Sequence, residues 1–263
     1  MARGAVPSMR ACAPLVAAFA LALAAGCSSS SSTSTPATPP GGGKHVDPTT
    51  AGAIAGKVTF DGPPPKPEML HVSADPACVA ADGGPVVPSD AVLVAANGAV
   101  QNAFVYIKDG VDPSYTFDTP TTPVVLDQKG CRYVPRVLGV RVGQPIQIVN
   151  SDDTLHNVHA MPMVNQEFNY GEKQGTPPMT HTFTAPETMV RFVCNVHGWM
   201  RAYVGVMATP FFAVTGPDGA FDITGLPPGT YTLAVWHETF GTQTQQITVG
   251  DRETKTATFV FKP

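Results

Sequence analysis

Hydrophobic and polar residues alternate along short stretches of the chain after residue 50, and turns rich in glycine and proline separate these stretches. In AVQNAFVYIKDG, for example, Ala103, Val105 and Ile107 fall on one face of an extended segment. This alternation is the period of a half-buried β-strand. Further strands are predicted in AIAGKVTF, VLGVRVGQPIQIVN, VRFVCNV, AYVGVMA, FFAVTGPDGAFDITGLPPGTYTLAVWHE, QQITV and TKTATFVF. The spacing of strands and turns predicts an all-β protein of one or two β-sandwiches.

Composition narrows the class of protein further. The chain contains 27 prolines and 25 glycines in 263 residues, which favours many turns over long helices. Charged residues make up 14% of the chain and the formal net charge is −4. Because lysine and arginine form no cluster that could neutralise phosphates, we expect no nucleic-acid partner.

The N-terminal residues have the features of an export signal. Two arginines precede the apolar run ACAPLVAAFALALAA, which is shorter than the roughly 20 residues that span a bilayer. The following LAAGC resembles a bacterial lipoprotein signal over residues 1–26. It implies an exported protein, in the periplasm or on the outer surface, anchored to a membrane by a lipid on Cys27. The alternative is a secreted protein cleaved near Ala25. Residues 27–50, rich in Ser, Thr, Pro and Gly, predict a flexible tether.

The five cysteines divide by position. The resemblance to a lipoprotein signal implies that Cys12 leaves with the signal and that Cys27 takes the lipid. Cys78 and Cys131 then form the expected disulfide pair, because disulfides persist in exported proteins; two free buried thiols are the alternative. Cys194 remains unpaired, which suits a metal thiolate.

The C-terminal DGAFDITGLPPGTYTLAV resembles the carboxypeptidase regulatory-like domain, a small transthyretin-like sandwich. The upstream half of such a domain is matched by IAGKVTFDG and NAFVYIKDG, which lie about a hundred residues earlier. The resemblance therefore implies a split sandwich, residues 51–115 plus 208–263, with another domain inserted at 116–207. The simpler alternative is three consecutive pieces with an independent C-terminal one.

The inserted segment contains VGQPIQIVNSDDTLHNVHA and VRFVCNVHGWMRAYVGV. Together these motifs resemble the cupredoxins, and their short spacing is most similar to the amicyanin-like members. The resemblance implies a Greek-key β-sandwich that binds one Cu(I)/Cu(II) ion through His156, Cys194, His197 and Met200. Two imidazoles, a thiolate and a distant thioether are the recurring ligand set of a blue (type 1) copper electron-transfer site. Zinc would gain little from the methionine.

Three neighbouring features depend on the same resemblance. It implies that Asn157 ties the two ligand loops together and donates its backbone N–H to the cysteine sulfur. His159 is left open as a competitor of His156 for the metal. Gly198 stands where such loops often have proline, so this loop is expected to be less stiff.

We expect His156 to be buried and His197 to expose one ring edge to solvent. Met161, Met163 and Trp199 would then form an apolar collar around that edge, where a redox protein partner docks weakly. Ordinary loop packing of each residue is the alternative.

The sequence thus predicts a membrane-anchored, monomeric blue copper protein that carries single electrons and is not an enzyme. A copper-handling lipoprotein without an electron-transfer role is one alternative. A surface carbohydrate-binding or adhesion module that uses the fold as a scaffold is another.

Overall fold

The structure, a computed structural model, describes residues 42–263 as one compact unit. The predicted signal peptide (1–26), Cys27 with its predicted lipid and most of the predicted tether lie outside the described residues. Within residues 42–263, no helix is long and apolar enough to cross a membrane.

Eighteen strands and one short helix make up this described part of the chain. In chain order they are β1 (Gly52–Phe60), β2 (Met69–His71), α1 (Pro76–Asp82), β3 (Val86–Pro88), β4 (Phe104–Asp109), β5 (Val124–Gln128), β6 (Tyr133–Val134), β7 (Val137–Arg141), β8 (Pro145–Asn150), β9 (His156–Met161), β10 (Phe168–Glu172), β11 (Met179–Thr182), β12 (Glu187–Val193), β13 (Arg201–Met207), β14 (Phe212–Val214), β15 (Ala220–Leu226), β16 (Gly229–His237), β17 (Gly241–Val249) and β18 (Thr254–Phe261). The prediction of an all-β fold is confirmed.

The first sandwich, called here the outer sandwich, combines strands from both ends of the chain. Its sheets have the orders β15-β1-β18 and β14-β4-β16-β17. β1 pairs antiparallel with β15 and parallel with β18, and β4 pairs antiparallel with β14 and β16. One core joins the N-terminal and C-terminal strands, with Ile54, Val105, Leu233 and Phe259 among its buried members. The strands on either side of the insert therefore form a single sandwich.

The close pairing of β1 with β18 depends on a glycine. Gly56 lies opposite Ala257, and a Cβ atom at position 56 would lie 1.7 Å from the Ala257 carbonyl oxygen. Only a residue without a side chain fits there. On either side of this position, Ile54 and Val58 alternate into the core, as the period of two requires.

The second sandwich, called here the inner sandwich, is built from the inserted segment. Its sheets have the orders β10-β9-β12-β13-β7 and β11-β8-β5-β6. The apolar faces of both sheets share one core, with Leu126, Ile148, Val158 and Phe192 among its fully buried residues. The ligand loop between β12 and β13 closes one end of this core.

The two sandwiches are joined by an apolar and ionic contact. Phe104, from β4, packs in a small buried cluster with Val137 of β7 and Met207 of β13. Beside it, Arg136 donates from Nη2 to Glu238 Oε2 over 2.9 Å. Since both side chains are almost fully buried, removal of Arg136 would leave the Glu238 carboxylate without its cation, whereas Arg136 also pairs with Asp90 at 2.5 Å. The contact fixes the inner sandwich against the outer one.

Two predicted boundaries need correction. The predicted tether extends to residue 50, yet the Lys44 N–H donates to Ser114 and the Lys44 carbonyl accepts from Thr116. The chain is therefore already paired with the outer sandwich at Lys44. Residues 69–88 were assigned with the outer sandwich, yet Val72 and Cys78 are buried in the inner core. Apolar packing, which the linear pattern does not show, decides where this segment lies.

Candidate metal centre

The residues predicted to bind copper gather at one end of the inner sandwich. His156 is the first residue of β9, and Cys194, His197 and Met200 lie in the loop between β12 and β13. β9 pairs antiparallel with β12, with Val193 opposite His159. The start of β9 and the end of β12 therefore meet at the same end of the sheet.

Three of these side chains converge on one point. The Nδ1 atoms of His156 and His197 are 2.9 Å apart, and Sγ of Cys194 lies 3.8 Å from Nδ1 of His197. The three ligand atoms all lie within 4.8 Å of one another, and the three side chains are buried. This spacing suits a single ion bound to two nitrogens and one sulfur.

Each histidine has a carboxylate behind its ring. Nε2 of His156 lies 2.8 Å from Oδ2 of Asp152, and Nε2 of His197 lies 3.0 Å from Oδ2 of Asp75. An ionised carboxylate only accepts hydrogen bonds, so each Nε2 carries the proton and donates it. Both Nδ1 atoms then present lone pairs to each other, which is repulsive unless a cation lies between them. Two imidazoles and a thiolate fit copper as that cation.

The local electrostatics favour the neutral form of His156 and the ionised form of Asp75. Burial lowers the pKa of His156, although its hydrogen bond to Asp152 acts in the opposite direction. The Thr154 hydroxyl, which donates to Asp75 over 2.6 Å, holds the pKa of that carboxyl below its ordinary value. A neutral imidazole and an ionised carboxylate are the states that metal binding through Nδ1 requires.

The ligand loop is closed by its own backbone. The N–H of Met200 donates to the carbonyl of His197 over 2.9 Å, and the N–H of Cys194 donates to the carbonyl of Met200 over 3.3 Å. The N–H of His197 donates to Sγ of Cys194 over 3.3 Å. The Met200 side chain is fully buried in the same core cluster as Cys194. These bonds hold the loop as a tight turn around the sulfur.

Two side chains tie the ligand strands together. Oδ1 of Asn157 accepts the backbone N–H of Asn195 over 2.9 Å, which is the link expected of Asn157. The Tyr133 hydroxyl lies 2.6 Å from the carbonyl of Asn157 and 3.0 Å from that of Val193. Burial raises the pKa of Tyr133, which keeps the phenol protonated as a donor. Among the hydrogen bonds of residues 42–263, the N–H that reaches Sγ is that of His197, not that of Asn157.

The expected exposure of His197 is wrong. Its relative accessibility is 2%, against 0% for His156. Asp75 covers Nε2, and the ring of Trp199 packs beside the imidazole with centroids 5.2 Å apart. The sequence pattern placed His197 in an open loop, whereas helix α1 of a distant segment closes that side.

The predicted collar around the ligand edge is not formed. Met161 ends β9, five residues from His156, and at about 3.3 Å per residue this places it about 16 Å away. Met163 lies further along the chain and is 96% exposed. Trp199 alone contacts a ligand, and its indole N–H donates to the carbonyl of Cys131 over 3.1 Å. The strand direction carries the two methionines away from the centre.

The period of β9 separates its two histidines. Residues 156, 158 and 160 are buried, whereas His159 points to the opposite face. There it lies 2.7 Å from Glu167 and 3.3 Å from Asn195. His159 is therefore not part of the cluster that His156 joins.

Two carboxylates of the centre were not predicted. Asp152 accepts the N–H groups of Gly130 and Cys131, and its Oδ2 also faces His156. Its spacing four residues before a ligand histidine was the available signal. Asp75 gave no such signal, because it lies far from both motifs in the sequence.

Cys78 and Cys131, the expected pair, are joined by a disulfide with a Cα–Cα distance of 5.5 Å. The bond attaches α1 to the turn that precedes Tyr133. Cys194 is the free cysteine among the described residues, and it is buried. The disulfide thus fastens the segment that carries Asp75 to the inner sandwich.

One family model matches part of this chain. The model of the carboxypeptidase regulatory-like domain matches residues 201–262, which include β14 to β18 of the outer sandwich and also β13 of the inner one. Among curated proteins no match was found.

Solved structures similar to this chain include copper proteins. A purple cupredoxin from Nitrosopumilus maritimus is 20% identical over 32% of this chain and 99% of its own, with a TM-score of 0.28. A Cu(I) amicyanin mutant is 23% identical over 39% of this chain and 98% of its own, with a TM-score of 0.29. A copper-containing nitrite reductase from Thermus scotoductus SA-01 is 22% identical over 38% of this chain, with a TM-score of 0.31; the match spans only 25% of that enzyme. The chain is thus similar to a carboxypeptidase regulatory-like domain in one part and has cupredoxin neighbours at low similarity.

Proposed function

We propose that this protein is a mononuclear blue copper protein that carries single electrons. The observation that carries the proposal is the convergence of His156 Nδ1, Cys194 Sγ and His197 Nδ1 within 4.8 Å in a buried centre. The lone pairs of the two Nδ1 atoms face each other because a carboxylate accepts the Nε2 proton of each imidazole ring. When bound there, copper would supply a Cu(I)/Cu(II) couple at a site whose ligands suit both oxidation states.

The residues around the centre are arranged to keep it rigid. Tyr133 and Asn157 join the two ligand strands, and Asp75 and Asp152 fix the ring orientations. Ligands held on two sides move little when the charge of the ion changes, so little reorganisation would accompany electron transfer. Burial of the ligands also excludes water. We further propose Met200 as the axial ligand, on the resemblance of its loop to cupredoxins.

The setting of the protein is proposed from its sequence. A lipid on Cys27 would anchor the chain to a bacterial membrane on the exported side, and a redox protein would be its partner. If so, Cys27→Ser should release the protein from the membrane fraction of expressing cells. A variant that stays in that fraction would contradict the anchoring.

The visible spectrum tests the copper assignment. Cu(II) added to the purified protein should give an intense blue colour, from charge transfer between the Cys194 thiolate and copper, at one ion per chain. Cys194→Ala and His156→Ala should abolish this colour. His159→Ala is the matched control, since His159 lies on the opposite face of β9, and it should stay blue. A blue Cys194→Ala variant, or a wild-type protein that takes up no copper, would refute the assignment.

Copper handling is the second candidate, and the burial of His197 favours it. A ligand edge covered by Asp75 lengthens the route for electrons compared with an exposed edge. Electron self-exchange and transfer of Cu(I) to a chelator distinguish the two functions. Fast exchange with slow metal transfer supports the electron carrier, and the reverse supports copper handling.

A further inference from the structure

Residues 69–88, between β1 and β4, leave the outer sandwich and cover the ligand end of the inner sandwich. Val72, Cys78 and Val87 of this covering segment are buried in the core cluster that contains Cys194. The disulfide to Cys131 fastens the segment there. A part of the chain that neither sandwich needs for its sheets therefore forms one wall of the candidate metal centre.

Asp75 is the residue through which this wall reaches a ligand. It is the N-cap of α1, and its Oδ1 accepts the N–H of Ala77 over 2.8 Å. Its Oδ2 accepts the hydroxyl of Thr154 over 2.6 Å and lies 3.0 Å from Nε2 of His197. Both carboxylate oxygens are thus held by separate groups, so the side chain has a defined direction toward the imidazole.

We propose that Asp75 is the positioning residue of His197: it fixes the imidazole with its proton on Nε2, closes the ring edge to solvent and lowers the reduction potential of the copper centre. This inference rests on the proposed copper function. The carboxylate lies behind the ring, so it does not itself bind the ion.

The direction of the effect follows from charge. A carboxylate that accepts the Nε2 proton makes the imidazole a stronger electron donor through Nδ1. Stronger donation and a nearby negative charge stabilise Cu(II) more than Cu(I). Partners of this kind typically change metal affinity 10- to 100-fold. Removal of the carboxylate charge should therefore weaken Cu(II) binding relative to Cu(I) binding and raise the potential.

A purely structural role is the competing interpretation. An N-cap residue contributes to helix stability, and Asn is as effective a cap as Asp. Asp75→Asn therefore keeps the cap on Ala77 while it removes the charge from Nε2 of His197. The matched control is Asp82→Asn, which removes one carboxylate from the same helix. Asp82 pairs with Arg132 at 3.3 Å and is not among the groups at the ligands.

Two measurements on the full protein test the proposal. Redox titration of the copper-loaded protein should show a higher potential for Asp75→Asn, with the Cu(II) to Cu(I) affinity ratio reduced about tenfold, or about 59 mV for one electron. Asp82→Asn should keep the wild-type potential. In the copper-free protein, the His197 Nε2 proton should give a far-downfield, slowly exchanging NMR signal. That signal should move upfield and exchange faster in Asp75→Asn but not in Asp82→Asn.

The outcomes separate this proposal from the copper assignment. A potential unchanged in Asp75→Asn, or shifted equally in Asp82→Asn, overturns the role of Asp75 while copper function stands. If the protein binds no copper, the proposed function fails, and an Nε2 proton signal unaffected by Asp75→Asn overturns the positioning role as well. If Asp75→Asn does not fold, Asp75→Ser, a cap too short to reach His197, replaces it in both measurements.

Discussion

His237 makes the stability of this protein depend on pH. Its side chain is 1% exposed and stacks on Phe240, with ring centroids 4.5 Å apart. Nδ1 accepts the N–H of Thr239 over 3.2 Å, so the proton of the neutral ring sits on Nε2, which has no hydrogen-bond partner among residues 42–263. Burial, and then the charge of Arg136, lower the pKa of His237 from 6.5 to about 4.

The lowered pKa of His237 makes the folded protein less stable as the pH falls. Between pH 6.5 and about 4 the unfolded chain protonates His237 while the folded protein keeps it neutral. The stability contributed by the neutral ring is therefore complete above pH 6.5 and is lost as the pH falls. Each pKa unit corresponds to about 1.4 kcal/mol, so the loss by pH 4 amounts to about 3 kcal/mol.

Denaturant unfolding of the copper-free protein between pH 7 and pH 4 measures this loss of folding free energy. His237→Phe, which keeps an aromatic ring against Phe240, should lose about 3 kcal/mol less than the wild type over that range. The control His45→Gln changes an exposed histidine and should follow the wild type. Comparison between variants cancels the titration of other groups. Equal losses for the wild type and His237→Phe would refute the reasoning.

Two further predictions concern the inner sandwich. Cys78 and Cys131 are 53 positions apart, so loss of their disulfide in Cys78→Ala/Cys131→Ala should lower the free energy of unfolding by about 4 kcal/mol, through the entropy of the unfolded chain. A loss below about 1 kcal/mol in denaturant unfolding would contradict this account. Met200→Leu, a swap that conserves volume in a fully buried position, should cost less than about 1.5 kcal/mol of stability. It should retain copper and raise its reduction potential, since a weak axial donor is removed; an unchanged potential in redox titration would show that Met200 is not axial.

The local pattern was sufficient to predict strands such as β1 and β4, but not β5, β9, β10 and β11, which no predicted stretch contains. Alternation in β1 and β4 reflects a physical requirement that successive side chains point to opposite faces, so it is visible without the fold. The two motifs likewise gave His156, Cys194 and His197, because each ligand stretch is continuous in the chain. The chemistry of a thiolate beside two imidazoles depends on residue type, which the sequence states directly.

The surroundings of these ligands depend on contacts between distant segments. The pairing of β1 with β18 is decided by the packing of one shared core, and the same holds for the segment that covers the ligand end. Such contacts depend on which apolar faces pack together. The hydrophobic period of a single segment does not show which other segment it will pack against.

The exposure of His197 shows most clearly which properties the sequence determines and which depend on the folded structure. The sequence by itself determined that His197 lies in a short loop two residues after Asn195 and beside a glycine. Only the tertiary structure decided that the loop is covered. Asp75, which lies more than a hundred positions before His197 in the chain, reaches Nε2 of His197 because a disulfide fastens its helix to the inner sandwich. A hydrogen bond is specific to the geometry of two groups in space, so its partner becomes visible only when the chain has folded.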